Sequence, residues 1–365
     1  MSFEEAGSSL NNVFFTRLFK IFFKVCMVKG QKFLVTVLLL LSAAFLLSCG
    51  KSSSKQEFKL SLILGTNSNW YLGAAKFKEL VEARTEGKCH INIFPHGQLA
   101  GQVQRTELEM VQTGVIDMSL ESSILLSLVE KRMSVLSMPW LFQSYSQADS
   151  ILEGPLGREL LDLLPKKNLI GLAYGANGFR QITNNRNPII TPADLKGMKI
   201  RVPAIKMYIK VFKLLGADPS SMNFGELFTA IAQGTMDGQE NPIAVIWSSR
   251  LYEVQKYLTL WDYSYDPIIL CINKKRWESL SPEIQNVFMQ CAREAMEYER
   301  AQVAGGEKAA LDSLAAKGMK INTLTRESLV MFKALAEPIY KDYSRKIGDG
   351  LIERFRSQSG GGSHP

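Results

Sequence analysis

The sequence predicts an α/β fold built from two related lobes and one long helix that connects them. Three observations support this prediction. Strand-like and helix-like segments alternate from Phe58 onward, a short phrase recurs in the second half of the chain, and one helical pattern covers 282–317 without interruption. Alternating strands and helices are typical of a largely parallel sheet.

The first half of the chain consists of strand–helix–strand units. Period-two alternation of apolar residues predicts the strands, and apolar residues at helical spacing predict the helices. In chain order we expect strands over 58–65, 90–95 and 115–122 and helices over 70–85 and 102–114, the second helix being closed by Gly114. Loops at the carboxyl ends of such strands gather at one edge of the sheet, where ligands bind.

The recurring phrase is "MVQTGVID" at 110–117 and "AIAQGTMD" at 230–237. Each copy runs from a helix through a glycine to an aspartate, near the end of a strand–helix unit. This weak repeat indicates two lobes with a related plan, between which a ligand would bind.

The helical pattern over 282–317 would span about 54 Å at 1.5 Å per residue, which is more than one lobe needs. We therefore expect this helix to bridge both lobes. Its one weak point is Gly305–Gly306, where we expect a kink or a hinge.

Composition is that of a globular protein long enough for two domains, with 365 residues, 46% hydrophobic and 21% charged. The net charge of +8 includes +3 from residues 1–48, and the rest is spread along the chain without a block of like charges. This distribution argues against a nucleic-acid partner.

Residues 27–48 have the pattern of a secretory signal peptide. "MVKGQKFLVTVLLLLSAAFLLSCGKSSSK" begins with a basic region, continues with an apolar run over 33–47 and ends at Ser48–Cys49. An uncleaved membrane anchor is the alternative, although the apolar run is short for a span. Residues 1–26 precede a complete signal and are most simply an over-extended start.

A cysteine after a small residue at such a boundary resembles the lipobox of bacterial lipoproteins, although Leu47 stands where a small residue is usual. Cys49 would then be the lipidated first residue of the mature chain, anchored to a bacterial membrane on its periplasmic side. Residues 49–57 would be a flexible tether. The remaining cysteines, Cys89, Cys271 and Cys291, have neither a redox nor a metal spacing, so their disulfide state stays open.

One arginine lies in a short predicted strand, "DLKGMKIRVP" at 194–203. Alternation places Lys199 and Arg201 on one face of this strand and the apolar residues on the other. Arg201 could lie on the wet face of an edge strand, or it could be held on a rigid element to bind an anion.

Longer motifs surround this strand and resemble the solute-binding proteins of tripartite ATP-independent periplasmic (TRAP) transporters, of the dicarboxylate-binding type. The resemblance covers the chain from Phe58 to about Ile347. Its motifs are "GQLAGQVQRTELEMVQTGVIDMSL" (97–120), "LSMPWLF" (136–142), "YGANGFRQITNNRNPIITPADLKGMKIRVP" (174–203), "GADPSSMNFGELFTAIAQGTMDGQENP" (216–242) and "YEVQKYLTL" (252–260).

The resemblance implies a two-lobe fold like that of periplasmic binding proteins, with crossing strands and a long bridging helix. It implies capture of a small organic acid between the lobes and delivery to an ion-coupled TRAP permease. No cofactor or metal is expected. The implied boundaries are 58–177 plus 267–306 for lobe I, 178–266 plus 307–350 for lobe II, and a flexible tail over 351–365.

Four residues take their roles from the family motifs. Arg201 matches the arginine that binds the ligand carboxylate, and Arg180 matches the arginine of the NGFR motif. Asn241 matches the QENP asparagine, and Phe224 matches an aromatic that packs on the ligand. A guanidinium bonds both oxygens of a carboxylate, which a lysine cannot reproduce. Arg180 could instead support Arg201 or a turn, Phe224 could be a core residue, and Asn241 could cap a helix near Ala244.

The first lobe contributes further candidates from loops after its predicted strands: Asn69, Trp70, Glu121, Ser122 and, at the lobe junction, Asn177. A carboxylate such as Glu121 at the site would favour an amine or require a metal, unless it points away. The aromatic residues Trp70, Tyr71 and Trp247 are compatible with a ligand more hydrophobic than a C4-dicarboxylate.

Three other functions compete with this interpretation. An enzyme is disfavoured, because none of the three histidines has a catalytic partner signature and no nucleotide-binding or metalloprotease motif occurs. A binding lipoprotein for a more hydrophobic carboxylate could work with a helical-repeat partner protein. The solute-binding protein of an ATP-driven transporter would lack the long helix and the QENP motif.

Overall fold

One nine-stranded sheet runs through residues 55–359, the part of the chain that the computed structural model describes. The strands are β1 (Gln56–Ser61), β2 (Cys89–Phe94), β3 (Met118–Ser122), β4 (Leu169–Asn184), β5 (Lys199–Val202), β6 (Asp218–Ser221), β7 (Gly238–Pro242), β8 (Tyr257–Asn273) and β9 (Lys320–Thr323). Their order is β2-β1-β3-β8-β4-β7-β5-β6, and β9 pairs with β8.

Helices cover the faces of this sheet. They are α1 (Asn69–Arg84), α2 (Gln104–Thr113), α3 (Ser123–Leu126), α4 (Tyr145–Glu153), α5 (Pro155–Leu161), α6 (Lys206–Leu214), α7 (Phe224–Ala232), α8 (Ile243–Ser248), α9 (Lys274–Glu278), α10 (Pro282–Ala316), α11 (Arg326–Ile347) and α12 (Asp349–Gln358). Short 3-10 helices occupy 98–100, 131–137, 164–167, 192–195 and 251–253.

Two long strands join the two halves of the sheet. β4 and β8 run antiparallel to each other over nearly their whole length. The carboxyl end of β8 pairs with β3, whereas the carboxyl end of β4 pairs with β7. The predicted fold class, two lobes with crossing strands and a long helix, is confirmed. The exact lobe boundaries stay a prediction.

A β-bulge marks the place where β4 passes from one half of the sheet to the other. The register of β4 against β8 shifts between Ala176 and Gly178. Gly178 has a φ of +114°, and a Cβ at this position would lie 2.9 Å from the Tyr145 hydroxyl oxygen. The positive backbone angle favours glycine here, and a larger residue would also displace the Tyr145 hydroxyl.

The long helix α10 follows the sequence prediction within one residue. The Ser281 side chain accepts the backbone N–H of Ile284, and Pro282 occupies the first turn, where its missing N–H costs nothing. The helix stays α-helical through Gly305–Gly306. It packs against α1 and against the crossing region of β4, so it contacts the junction of the two halves.

Several predicted boundaries were wrong. β1 ends at Ser61 rather than at residue 65, and β3 begins at Met118 rather than at 115. β1 also begins at Gln56, inside the predicted tether, because its first residues pair with β2. Residues 1–54 lie outside the described residues. They contain the over-extended start, the signal peptide, Cys49 and most of the remaining tether.

The predicted flexible tail over 351–365 was also wrong as far as it is described. Residues 351–358 belong to α12, which buries Ile352 and Phe355. The Phe355 ring packs edge-on against Phe142 at 6.4 Å, and Arg354 pairs with Glu159. Apolar residues at helical spacing therefore dock this helix on the preceding core.

Cys89, Cys271 and Cys291 are all buried and free. Within residues 55–359, no helix has the length and apolar content that a membrane crossing requires.

Glu299 is a fully buried carboxyl group on α10 where this helix meets the bulge of β4. One carboxyl oxygen accepts the backbone N–H of Ala176 at 2.8 Å, and the other has no hydrogen-bond partner among the described residues. Burial raises the pKa of Glu299 to about 8. The folded chain therefore holds a proton on Glu299 at pH values where the unfolded chain has lost it.

We expect Glu299→Gln to alter how stability depends on pH. Because the folded-state pKa lies above the unfolded one, the contribution of wild-type Glu299 to stability falls as pH rises from about 4.5 to about 8. The melting temperature of Glu299→Gln relative to wild type should therefore rise by roughly 10 °C or more over that window, at roughly 2–4 °C per kcal/mol. A difference that stays constant between pH 5 and pH 8 would contradict this assignment.

Candidate functional site

A narrow cavity lies where β4 and β8 pass from one half of the sheet to the other. Both halves of the sheet line it. Seven of the predicted site residues lie along it, namely Trp70, Ser122, Asn177, Arg180, Arg201, Phe224 and Asn241. β3, β4, β5 and β7 each contribute to it near a strand end or at the crossing. Parallel neighbours such as β5 and β7 bring their carboxyl ends to one edge, which places these side chains together.

Arg201 is buried on β5 and faces this cavity. Its Nε and Nη2 atoms donate to the backbone carbonyl of Met222 at 3.1 and 2.8 Å. Its guanidinium carbon lies 5.9 Å from the centre of the Phe224 ring. No carboxylate within residues 55–359 lies at ion-pair distance from Arg201. Burial, reinforced by the nearby charge of Arg180, lowers the pKa of Arg201 to about 10 although Glu240 opposes this shift.

The burial of Arg201 argues against the alternative in which it lies on the wet face of an edge strand. Lys199 is exposed, as expected for the wet face, but Arg201 is only 2% exposed although it lies on the same side of the strand. The difference arises because α7 begins beside Arg201 and its first residue, Phe224, covers the guanidinium. A buried cation without a carboxylate partner is costly unless a ligand compensates it.

Arg180 is equally buried but is already neutralised. Its Nε pairs with a carboxyl oxygen of Glu240, and its Nη1 lies 2.9 Å from a carboxyl oxygen of Asp266. Its Nη2 donates to the Glu240 backbone carbonyl and to the Asn241 side-chain oxygen. Burial alone would lower the pKa of Arg180, but these two carboxylates hold that pKa well above its ordinary value.

Asp266 connects the crossing strand β8 to both halves of the sheet. One carboxyl oxygen accepts the Ser122 hydroxyl at 2.6 Å, and the other accepts the Asn177 amide at 2.7 Å in addition to Arg180. Burial raises the pKa of Asp266, while Arg180 and these hydrogen bonds oppose the rise. Three strands, β3, β4 and β8, therefore converge on one carboxylate.

The amide side chains of the cavity are also engaged. Asn177 accepts the indole N–H of Trp70 at 3.0 Å, while its own N–H group is donated to Asp266. Asn241 accepts from Arg180 and donates to Gln239. The alternative in which Asn241 caps a helix is wrong, because α8 begins after Pro242 and its N-cap makes no side-chain hydrogen bond.

Two predicted site residues lie elsewhere. Asn69 lines a neighbouring cavity of about 240 Å³ between α8 and α10, which shares Asn177 with the narrow cavity. Glu121 lines neither of these two cavities. It lies near Glu107, whose carboxylate accepts the Ser61 hydroxyl, and burial together with this second carboxyl group raises the pKa of Glu121 well above its usual range. Within residues 55–359, no group of three or more potential metal-binding side chains occurs.

The sequence interpretation missed the acidic members of the site. Glu240 stands inside the QENP motif, and Tyr263 also donates its hydroxyl to Glu240 at 2.6 Å. Asp266 lies in the otherwise apolar run that forms the second half of β8. A charged residue within a buried strand was the available signal, because such a residue requires a partner.

Comparison with known proteins agrees with this geometry. The family described as "bacterial extracellular solute-binding protein, family 7" matches residues 60–346. The chain is 36% identical over 272 residues to the 2,3-diketo-L-gulonate-binding periplasmic protein YiaO of Escherichia coli, covering 74% of this chain and 82% of that protein. It is 31% identical to the C4-dicarboxylate-binding protein DctB of Bacillus subtilis, covering 82% and 85%.

Solved structures of TRAP periplasmic solute-binding proteins are similar over almost their whole length. The protein from Ralstonia eutropha, with bound (S)-2-acetolactate, has a TM-score of 0.81 at 34% identity and covers 84% of this chain and 99% of its own. The sugar-acid-binding protein of Advenella mimigardefordensis, in complex with galactonate, has a TM-score of 0.82 at 32% identity, with coverage of 85% and 99%.

We expect the two buried arginines to differ sharply when each is replaced by methionine. Arg180→Met leaves Glu240 and Asp266 buried without their cation, which should cost about 3–5 kcal/mol of unfolding free energy. Arg201→Met removes a buried cation without a carboxylate partner, so stability should be unchanged or higher. Urea denaturation of the two variants measures this difference. Equal losses of stability would show that Arg201 also takes part in the structural network.

Proposed function

This chain belongs to family 7 of the bacterial extracellular solute-binding proteins, and we propose that Arg201 binds the carboxylate of its ligand. The protein captures a small organic acid between its lobes and supplies it to a TRAP-type membrane permease. Its family consists of binding proteins of transporters, which points away from catalysis.

The observation that carries the proposal is the contrast between two neighbouring guanidinium groups. Arg180 is saturated by carboxylates, whereas the described residues offer Arg201 only one backbone carbonyl. That carbonyl accepts the N–H groups on the Nε side of the guanidinium. The two N–H groups on the opposite edge, one from Nη1 and one from Nη2, have no partner among the described residues. This edge matches the two oxygens of a carboxylate. Phe224 packs beside it and restricts access of water.

Lobe closure follows from the origin of the cavity-lining residues. Arg201 and Phe224 come from the β5–α7 side of the sheet, whereas Trp70 and Ser122 come from the β1–β3 side. A ligand that contacts both sides favours the conformation in which they are close. Relatives hold acetolactate, galactonate, succinate and erythronate, which are all small organic acids.

We further propose that the mature protein is a lipoprotein anchored through Cys49. The support is the sequence alone, a basic region and an apolar run that end at Ser48–Cys49. An anchored protein stays close to the permease. It would also meet a helical-repeat partner lipoprotein at the same membrane surface, and co-purification of that second chain would reveal such a partner.

Arg201→Ala should weaken binding of a small organic acid at least tenfold, because the carboxylate loses its charge-assisted hydrogen bonds. Arg201→Lys keeps the charge but not the planar fork and should recover only part of this loss. Titration calorimetry measures the affinities, and small-angle scattering measures the compaction that accompanies closure. Lys199→Ala, on the exposed position of the same strand, is the matched control. Unchanged affinity in Arg201→Ala would remove the role we assign to this residue.

Cys49→Ser should release the protein from the membrane fraction into the soluble extracytoplasmic fraction. Cys49 is the sole proposed acylation site, and serine cannot accept the thioether-linked lipid. Fractionation with metabolic labelling by a radioactive fatty acid measures both effects. Retention of label in the variant, or a wild-type chain without label, would refute the lipoprotein assignment.

A further inference from the structure

We infer that the cavity selects monocarboxylic acids with a short apolar tail and one polar group beside the carboxylate, and that it rejects dicarboxylates and polyhydroxy acids. This inference rests on the proposed function, since it takes Arg201 as the carboxylate-binding residue. Three features carry it, namely the charge balance of the cavity, the state of its neutral polar groups and the nature of its remaining wall.

The charge balance leaves one cation for the ligand. Arg180 contacts two buried carboxylates, Glu240 and Asp266, so its positive charge is more than compensated. Arg201 has no carboxylate partner among residues 55–359. One ligand carboxylate would therefore give Arg201 the direct carboxylate partner that it lacks, whereas the four charged side chains together are already neutral.

A second ligand carboxylate would have no comparable partner. No cation other than these two arginines lines the described cavity, and Asp266 lies on its wall. A dianion would thus bring a second negative charge into a buried site that already carries a carboxylate. The lost hydration of that charge would not be replaced, which penalises binding strongly.

Three neutral polar side chains of the cavity already have hydrogen-bond partners within the chain. Asn177 bonds Trp70 and Asp266, Ser122 bonds Asp266, and Asn241 bonds Arg180 and Gln239. The hydroxyl groups of a polyhydroxy ligand would compete with these bonds for the same side chains. A buried hydroxyl that gains no partner costs free energy.

Gln104 is the exception among the neutral polar residues of the cavity. It lies at the start of α2, is half-buried, and makes no side-chain hydrogen bond within the described chain. Its amide both donates and accepts, so it suits a 2-oxo or a 2-hydroxy group equally. One such group on the ligand matches the one available amide.

The rest of the wall is apolar. Leu64 and Trp70 line it from the β1–α1 segment, Ile124 and Leu125 from α3, and Val245 from α8. All five are buried. Branched aliphatic carbons gain favourable transfer free energy against such a surface, whereas a charged or hydroxylated tail does not.

The full-length chain should be titrated by calorimetry with three probes. These are 3-methyl-2-oxobutanoate, a branched 2-oxo monocarboxylate; succinate, a dianion of similar length; and galactonate, a polyhydroxy monoanion. We expect 3-methyl-2-oxobutanoate to bind at least 100-fold more tightly than either of the others. If succinate or galactonate binds as tightly, the selectivity inference fails while the proposed function stands. If no organic acid binds, the proposed function itself fails.

A gain of function tests the charge argument directly. Gln104→Lys supplies a second cation at a half-buried position of the cavity wall. It should raise affinity for succinate at least tenfold, because the second carboxylate gains a cation, and should raise affinity for 3-methyl-2-oxobutanoate less, because the lysine ammonium only replaces one donor to the 2-oxo oxygen by another. Thr106→Lys places the same charge on an exposed position of α2 and should change neither affinity. A folded Gln104→Lys variant with unchanged affinity for succinate would overturn the inference.

Discussion

The pairing of Arg180 with Glu240 and Asp266 is the interaction on which the rest of the site depends. Its three members come from β4, β7 and β8, so the ion network forms only when the crossing strands are in register. All three are buried, and the charge of each is tolerated because the others are present. Asp266 also accepts hydrogen bonds from Ser122 and Asn177, which extends the network to both halves of the sheet.

This neutralisation underlies the role that we propose for Arg201. Two guanidinium groups in one buried cavity would repel each other, and a site with two free cations would suit a dianion. Because Glu240 and Asp266 are committed to Arg180, a single cation remains available to a ligand. The tail of the ligand then meets hydrophobic side chains rather than charges. In this proposal, affinity for acids comes from Arg201 and discrimination among acids comes from the apolar wall of the same cavity.

The crossing region combines binding with the mechanical junction of the two halves. The bulge of β4 lies at Gly178, next to Asn177 of the site. On its other side Ala176 donates to the buried carboxyl group of Glu299 on the long helix. A contact made by ligand at Asn177 is therefore only one residue from the contact between strand and helix. The long helix is continuous through Gly305–Gly306, whereas the register of β4 against β8 shifts at three places, one of them at Gly178.

The sequence by itself determined the alternation of strands and helices and the limits of the long helix. It also singled out the motif residues Arg180, Arg201, Phe224 and Asn241. Periodicity and local motifs are properties of neighbouring residues, so a sequence can show them directly. It did not determine the docked helix α12, the position of Glu121, or the partners of Arg180. These depend on contacts between residues far apart in the chain, such as the 86 positions that separate Arg180 from Asp266. Local pattern showed that Arg201 lies on a strand; only the tertiary structure decided that it is buried and lacks a carboxylate partner within the described chain.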